Sequence, residues 1–204
     1  MTSVLIKIMD SKFKLIVDYF GKDRFKFNES LKEYTALSSG GKADIFFIAF
    51  TISELIKIVG MCRQLKLPFF IFGIGSKIMI SDAGFPGLVI KNRTKNITTI
   101  SVKGKVSKVG IGVEEALVEV DSGVSMDKFS KYLDEQNLDS SNFSSIPGSI
   151  GGNLFLNRFL QLSAKSIKVL DQQSQIDEIS ADNLNPRKDI ILSAVFKISA
   201  KKNI

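Results

Sequence analysis

Residues 69–90 read FFIFGIGSKIMISDAGFPGLVI. The segment begins as a short apolar run, which is typical of a buried strand, and then breaks into the side-chain-poor tetrapeptide Gly73-Ile74-Gly75-Ser76. Two interpretations stay open: the glycines form a tight turn, or they let backbone N–H groups approach a ligand with no β-carbon in the way. The loop is neither a Rossmann nor a Walker phosphate loop, because residue 78 is isoleucine where the first needs glycine, and no Gly-Lys-Ser or Gly-Lys-Thr occurs.

The residues before this loop predict a strand–helix–strand unit. Residues 43–50 form an apolar run that favours a strand, and Thr51 and Glu54 match the capping box that opens a helix. The helix carries apolar residues at helical spacing and ends before Pro68. Further upstream, residues 13–20 also show helical spacing, which indicates either a short amphipathic helix or a partly ordered arm.

The residues after the loop predict mostly antiparallel β-structure. Residues 97–121 alternate apolar and polar around Lys103-Gly104-Lys105, which indicates a hairpin turn. Ser125 can cap a helix that follows it. Three further strands are predicted at residues 167–170, 176–179 and 190–198. Helices and strands together indicate the α+β class.

A second side-chain-poor segment, residues 145–153, reads SIPGSIGGN. Pro147 fixes φ, and Gly151 and Gly152 permit close backbone approach, so the segment predicts a rigid loop with exposed amides. Such a loop can lie along a flat ring or a phosphate, and it can equally be a buried crossover between strands. Because the chain has no histidine and no metal-ligand set, two such loops favour a bound nucleotide cofactor over independent side-chain catalysis.

The composition excludes several classes of function. The chain has no histidine and a single cysteine, Cys62, so it lacks the commonest zinc ligand and can form no internal disulfide. Cys62 lies on the apolar stripe of the predicted helix, which favours a core residue over a reactive thiol. The net charge of +7 comes from scattered lysines, which favours a solvated surface over a nucleic-acid interface.

The sequence also predicts a cytoplasmic protein. No apolar segment is long enough to span a bilayer, and Lys7 and Asp10 interrupt the start of the chain where a signal peptide needs an unbroken apolar stretch. A single cysteine agrees with a reducing compartment. We therefore expect no membrane and no nucleic-acid partner.

Several motifs in this order resemble those of the UDP-N-acetylenolpyruvoylglucosamine reductase family, also called UDP-N-acetylmuramate dehydrogenase. They lie at residues 31–35 with 40–44, 72–77, 81–90, 145–152 and 191–196. That family uses FAD and NADPH to reduce an enolpyruvyl ether in peptidoglycan precursor synthesis. The resemblance implies an α+β, two-lobed FAD-binding fold of the vanillyl-alcohol oxidase (PCMH-type) kind, and a flavin-dependent oxidoreductase of cell wall biogenesis.

On this basis we expect three segments: an N-terminal helical arm at residues 1–30, a first FAD-binding lobe at 31–96 and a second at 97–204. The resemblance implies that backbone amides of the first glycine loop hold the pyrophosphate of FAD and that the second loop runs beside the cofactor. The expected cofactor-binding residues are Phe72, Gly73, Ile74, Gly75, Ser76 and Lys77 in the first lobe, and Ser145, Ile146, Pro147, Gly148, Ser149, Gly151, Gly152 and Asn153 in the second.

Several residues depart from the family pattern. Lys77 stands where the family has asparagine, and Ser38 stands where it usually has a basic residue. Asn157 is followed by Arg-Phe-Leu-Gln instead of a glycine–tyrosine turn. Arg187 lacks the preceding tyrosine of the family's Tyr-Arg pair, so its substrate role is not carried over and we predict no catalytic residue. The family's C-terminal substrate domain, with its proton-donating serine and assisting glutamate, is expected to be missing.

Two functions therefore stay open. The chain is a flavin-dependent reductase, with NADPH and a UDP-sugar as partners if a substrate domain is supplied in trans. Alternatively, it is a catalytically inactive flavin-binding or interaction module that retains the fold. A third function, nucleic-acid binding, rests on charge alone.

Overall fold

The structure is a computed structural model that describes residues 11–107 and 110–201, without the side chains of residues 105–107, 110 and 111. Backbone contacts divide the chain into two compact units, Met1–Asn92 and Arg93–Ile204. Each unit is built on one β-sheet. Residues 1–10 of the predicted N-terminal arm lie outside the described residues.

The elements of the first unit are α1 (Ser11–Phe20), β1 (Phe25–Ser30), β2 (Lys42–Ala49), α2 (Ile52–Gln64), β3 (Phe69–Phe72) and β4 (Phe85–Asn92). The strands form a four-stranded sheet in the order β1-β2-β4-β3, in which β1 is antiparallel to β2 while β2, β4 and β3 run parallel. The predicted strand–helix–strand unit is confirmed, and β1 adds a strand from within the predicted arm. Short 3₁₀ turns lie at Lys22–Arg24 and Lys32–Tyr34.

Helix α2 begins with the predicted capping box. The Thr51 hydroxyl accepts a hydrogen bond from the Glu54 amide at 3.1 Å, and the Glu54 carboxylate accepts one from the Phe50 amide at 2.8 Å. Burying one large aliphatic side chain stabilises a fold by about 1.5–3 kcal/mol, so the apolar face holds the helix in place. The buried side chains of α2 are Leu55, Ile58, Val59 and Cys62.

Alternate side chains of β2 reach opposite faces of the first sheet. On one face, Phe46 lies in a buried cluster with Leu31 and Phe72. On the other face, the Phe47 ring contacts the rings of Phe20 and Phe25, each with centroids 5.0 Å apart. Burial on both faces is expected for a largely parallel sheet.

The elements of the second unit are β5 (Ile97–Ser107), β6 (Gly110–Asp121), α3 (Met126–Glu135), α4 (Ile150–Leu156), α5 (Arg158–Ser163), β7 (Ala164–Leu170), β8 (Ile176–Ile179) and β9 (Ile190–Ser199). The strands form a five-stranded sheet in the order β5-β6-β9-β7-β8, and all of its paired strands are antiparallel. The predicted strands and the helix after Ser125 are confirmed. A 3₁₀ turn lies at Ala181–Asn183.

The core of the second unit forms where helices α3, α4 and α5 pack on the sheet. Three rings stand at its centre: Phe129 of α3 contacts Phe143 at 5.1 Å and Phe196 of β9 at 5.4 Å between centroids. Val118 and Ile167 are fully buried in the same cluster. Of the helices in the described residues, none has the length and apolar character needed to cross a membrane.

The predicted hairpin turn at Lys103-Gly104-Lys105 is wrong. These residues lie inside β5, where the pairing with β6 shifts register between Lys103 and Gly104. A glycine inside a strand often marks such a bulge, which explains why a turn signal occurs in a continuous strand. Residues 108 and 109, which join β5 to β6, lie outside the described residues.

Candidate functional site

Residues 73–77 follow β3 at the carboxyl edge of the first sheet. Phe72 of β3 pairs with Lys91 of β4, and Ala49 of β2 pairs with Asn92 of β4. The carboxyl ends of three parallel strands therefore lie at one edge. Open sheets with parallel strands bind their ligands outside this edge, so the position of the loop suits a binding site.

Gly75 is buried and has a φ of 85°, in the left-handed region that favours glycine. A β-carbon at this residue would overlap the backbone carbonyl oxygen of Tyr34. The Gly75 carbonyl in turn accepts a hydrogen bond from the Ala36 amide at 3.2 Å. The bare Cα of Gly75 therefore faces the protein's own backbone and not a ligand, which corrects the reason given for this glycine from the sequence.

The backbone amides of Ile74, Gly75 and Ser76 have no hydrogen-bond acceptor in the described part of the chain. Backbone donors are almost always satisfied, so these three are expected to bond to water or to a ligand. Successive amides in a turn form a concave anion-binding site, and the exposed Lys77 places a cation at the end of this one. The segment therefore fits a diphosphate.

Tyr34 connects this loop to the sheet. Its ring stacks on Phe46 with centroids 4.6 Å apart. Its hydroxyl donates to the Glu29 carboxylate at 2.6 Å and accepts from the Lys26 ammonium at 3.0 Å. Burial and the hydrogen bond to Glu29 raise the pKa of Tyr34, and hydrogen bonds to Glu29 and Tyr34 raise the pKa of Lys26. Tyr34 therefore stays neutral and Lys26 stays charged near neutral pH.

The second predicted loop, residues 145–153, leads into α4. Ser149 is the N-cap of this helix, and its hydroxyl accepts a hydrogen bond from the Gly152 amide at 3.2 Å. The Asn153 side chain is fully buried and donates to the carbonyl oxygens of Pro147 at 3.1 Å and Ser149 at 3.0 Å. Asn153 therefore holds the backbone of the loop from inside.

Backbone hydrogen bonds tie the same segment to residues 122–126. The Gly151 amide donates to the Ser122 carbonyl at 2.8 Å, and the Met126 amide donates to the Gly148 carbonyl at 2.9 Å. A β-carbon on Gly151 would lie 2.9 Å from the Ser122 Cβ, so glycine is required here for close packing. These contacts fix the backbone of residues 148–151 against residues 122–126 within the second unit.

The prediction that Gly151 and Gly152 expose their amides is wrong, because both amides donate inside the unit, to Ser122 and to the Ser149 hydroxyl. The amides of Gly148 and Ser149 instead have no acceptor among the residues that the structure describes. Gly148 also has a φ of 107°, so a side chain here would be strained. The amide donors of this segment that lack a described acceptor therefore lie just before the helix.

The remaining predicted cofactor-binding residues differ in exposure. The side chains of Phe72 and Asn153 are buried, so each supports its loop from the interior of its own unit. The partly buried ones are Gly73, Ser76 and Ile146, and the exposed ones are Ile74, Lys77, Ser145 and Pro147.

Two of the places at which the chain departs from the family pattern, Arg187 and the segment after Asn157, make local contacts. Arg187 is exposed, and its amide donates to the Asn185 side chain at 3.3 Å. The segment after Asn157 forms α5, where Arg158 pairs with Asp182 at 2.5 Å. Within residues 11–107 and 110–201, no group of three or more acidic, cysteine or histidine side chains could hold a metal ion.

Two charged residues near these segments were not singled out from the sequence. The Lys91 Nζ atom lies 4.6 Å from the centroid of the Tyr34 ring. The buried Asp121 carboxylate ends β6 and accepts a hydrogen bond from the Asn96 amide at 3.0 Å. Burial raises the pKa of Asp121, and the neighbouring Glu119 adds to this rise. Both residues follow an apolar run in the sequence, and this position at the end of a strand is the feature that could have identified them.

Comparison with known proteins identifies the family of this chain. Residues 43–163 match the FAD binding domain family. The UDP-N-acetylenolpyruvoylglucosamine reductase of Clostridium perfringens is 29% identical over 179 residues, which cover 84% of this chain and 54% of that protein. The chain spans about half the length of the curated relatives it matches.

Two solved structures share the fold. The UDP-N-acetylenolpyruvylglucosamine reductase from Thermus caldophilus matches with a TM-score of 0.62 and 19% identity, over 87% of this chain and 62% of that one. The p-cresol methylhydroxylase structure with substrate bound matches with a TM-score of 0.61 and 14% identity, over 97% of this chain and 45% of that one. These likenesses confirm the predicted α+β fold of the vanillyl-alcohol oxidase (PCMH-type) kind.

Proposed function

Because this chain belongs to the FAD-binding domain family and FAD is its cofactor, we propose that it is the flavin-binding part of an oxidoreductase resembling the UDP-N-acetylenolpyruvoylglucosamine reductases. The observation that carries the proposal is the run of three amides at Ile74, Gly75 and Ser76, which have no acceptor in the described part of the chain. They lie at the carboxyl edge of a parallel sheet, where an anionic ligand is best received.

The first glycine loop would bind the diphosphate of FAD. The amides of Ile74, Gly75 and Ser76 donate to phosphate oxygens, and hydrogen bonds to charged oxygens are roughly twice as strong as neutral ones. Lys77 adds positive charge at the loop's end. Phe72 and Gly73 hold the loop to the end of β3.

The second segment would bind another part of the same cofactor. Gly148 and Ser149 offer their amides, while Ser145, Ile146 and Pro147 supply the surface before them. Gly151, Gly152 and Asn153 act through support, since their own hydrogen bonds lie within the unit. FAD, when bound, supplies the hydride-transfer chemistry that side chains do not provide.

The proposed activity is the one for which the relatives are named, the reduction of UDP-N-acetylenolpyruvoylglucosamine. The complete enzyme would use NADPH to reduce the enolpyruvyl ether of a UDP-sugar, in the cytoplasm and in peptidoglycan precursor synthesis. The reduction adds one hydride and one proton across the carbon–carbon double bond. This chain would orient the cofactor, and a substrate domain outside the 204 residues of this sequence would bind the sugar nucleotide and deliver the proton.

A second candidate function, an inactive flavin-binding module, is favoured by a specific observation. Residues Arg158–Ser163 form α5, with Phe159 and Leu162 exposed, where the resemblance leads us to expect a glycine–tyrosine turn. Arg187 lies near Asn185 with no tyrosine before it. The chain would then bind FAD without reducing a sugar nucleotide.

An NADPH oxidation assay separates the two functions. The purified, FAD-loaded chain is mixed with NADPH and the substrate domain of a related reductase, with and without UDP-N-acetylglucosamine enolpyruvate. Oxidation that depends on the sugar nucleotide supports the reductase. Bound flavin with no substrate-dependent oxidation supports the inactive module, and a chain that binds no FAD overturns both.

A further inference from the structure

Two buried side chains join the segment before β5 to the end of β6. The Thr94 hydroxyl accepts a hydrogen bond from the Gly123 amide at 3.0 Å. The Asp121 carboxylate accepts one from the Asn96 amide at 3.0 Å, and the Lys95 backbone also bonds to it. The Asp121 amide in turn donates to the Asn96 carbonyl at 2.9 Å. Because polar side chains are costly to bury without partners, these bonds hold the two backbone segments against each other.

The β6–α3 turn, residues 122–126, carries the second predicted loop. The Ile150 amide donates to the Val124 carbonyl at 2.8 Å, and the Met126 amide donates to the Gly148 carbonyl at 2.9 Å. These two bonds form an isolated antiparallel bridge. The backbone of the loop therefore follows the position of the turn.

The bridge sets the direction of one donor of the loop. The carbonyl of Gly148 and the amide of Ser149 belong to the same peptide group, which is planar and trans. A carbonyl that accepts from Met126 therefore aims the Ser149 N–H away from the turn. This N–H has no acceptor among the residues that the structure describes.

We propose that Thr94 and Asp121 are positioning residues for the cofactor, because they fix the β6–α3 turn and the turn aims the Ser149 amide at FAD. The inference rests on the proposed function, since it assumes that the second loop contacts the cofactor. Hydrogen bonds weaken steeply away from their preferred distance and angle, so a small shift of the turn lowers the affinity for FAD.

Four variants separate the hydrogen bonds from the packing of these side chains. Thr94→Val removes the acceptor of the Gly123 amide and nearly keeps the shape of the side chain, whereas Thr94→Ser keeps the hydroxyl. Asp121→Ala removes the carboxylate, whereas Asp121→Asn keeps an oxygen that accepts. The control Thr99→Val removes a threonine hydroxyl of the same unit that bonds the Tyr132 hydroxyl at 3.0 Å and not the turn.

The test is a titration of FAD into the wild type and the five variants, followed by flavin fluorescence, together with hydrogen exchange of the ligand-free proteins by NMR. Thr94→Val and Asp121→Ala are expected to weaken FAD binding about five- to tenfold, the scale of one lost hydrogen bond. Both should speed exchange at the Met126 and Ile150 amides, which form the bridge. The serine and asparagine variants and the Thr99→Val control should bind FAD nearly as the wild type does.

The outcomes separate this inference from the function beneath it. Wild-type protein that binds no FAD overturns both. Wild-type binding that is unchanged in Thr94→Val and Asp121→Ala overturns the inference alone. Equal losses in Thr94→Ser and Asp121→Asn assign the effect to packing or charge and overturn it as well. A loss of affinity without faster exchange at the bridge does the same.

Unfolding temperatures of the ligand-free proteins identify a variant that fails to fold. If neither Thr94→Val nor Asp121→Ala folds, exchange in the wild type decides. A ligand of the folded state stabilises the bonds coupled to its site, so FAD should slow exchange at the Asn96 and Gly123 amides. Exchange there that FAD leaves unchanged overturns the inference.

Discussion

The Cα atom of Gly75 packs against the backbone carbonyl of Tyr34, and this contact leaves no room for a β-carbon at residue 75. The loop is therefore shaped by the fold of the first unit before any ligand arrives. The loop formed in this way presents three backbone donors: the amides of Ile74, Gly75 and Ser76 have no acceptor in the part of the chain that the structure describes. A pre-formed set of donors binds an anion without first being ordered.

Gly75→Ala should destabilise the first unit and weaken FAD binding together. The new methyl group would meet the Tyr34 carbonyl at a backbone φ of 85°, so we expect a loss of about 2 kcal/mol or more in the free energy of unfolding. Urea denaturation measures it. Gly60→Ala is the matched control, because Gly60 lies inside α2 with open space around it and should gain about 0.5–1 kcal/mol. A Gly75→Ala protein as stable as wild type would contradict the close contact.

Asn153→Ala should loosen the second segment. The buried carboxamide donates to Pro147 and Ser149, and its loss removes both bonds at a cost of about 1–3 kcal/mol. The Pro147 carbonyl loses this donor, while the Ser149 carbonyl keeps its bond from the backbone amide of residue 153 at 2.9 Å. Hydrogen exchange at residues 145–149 should become faster than in the control Asn142→Ala, whose side chain is exposed. Equal exchange rates in the two variants would show that Asn153 does not hold this backbone.

Asp121→Asn should stabilise the protein increasingly as the pH rises. Burial raises the pKa of Asp121 despite hydrogen bonds from the Asn96 and Lys95 backbone, Glu119 adds to the rise and Lys168 opposes it. The folded state therefore binds this proton more tightly than the unfolded state, and the resulting stability is lost as the pH rises from about 4 through the raised pKa.

Because asparagine does not titrate, the difference in unfolding temperature between Asp121→Asn and wild type measures this loss directly. The gap should be smallest in acid and should widen toward neutral pH. Glu119 is present in both proteins, so its own titration largely cancels. A gap that stays constant or narrows with rising pH would show that the Asp121 pKa is not raised.

Cys62 should react with thiol reagents only after unfolding. It is fully buried on α2, and burial raises its pKa to about 12, so little thiolate forms near neutral pH. Addition of a chromogenic disulfide should give no fast colour in native protein and one thiol per chain in denaturant. Rapid reaction of the folded protein would place Cys62 at the surface.

The sequence predicts the local elements well where a pattern repeats along a single segment. The strand–helix–strand of the first unit is confirmed because the capping pair Thr51 and Glu54 lies three residues apart and the strands are strongly apolar. The turn at Lys103-Gly104-Lys105 fails because glycine marks a bulge as readily as a turn. The fold class follows from the order of the motifs, and the solved structures confirm it.

The candidate site is less predictable because its contacts are distant in sequence. Residue 75 must be glycine because its Cα packs against the backbone carbonyl of Tyr34, which is far away along the chain. The Lys91 ammonium lies over the ring of Tyr34, which is also distant in sequence. Helical and strand periodicities report only which face a residue occupies, so they identify neither pair. The glycines at 151 and 152 likewise look like open amides until Ser122 and Ser149 are placed beside them.

The measurement that tests the account most directly is the binding of FAD to the purified chain. The absorbance spectrum as purified, followed by thermal unfolding with and without added FAD, reports both retained and rebound cofactor. We predict the visible bands of a bound flavin or, after its removal, an unfolding temperature that rises with FAD concentration, since a ligand of the folded state at 100 times its Kd adds about 2.7 kcal/mol. A colourless chain whose unfolding temperature is unchanged by FAD would contradict the claim that its glycine loop receives the diphosphate.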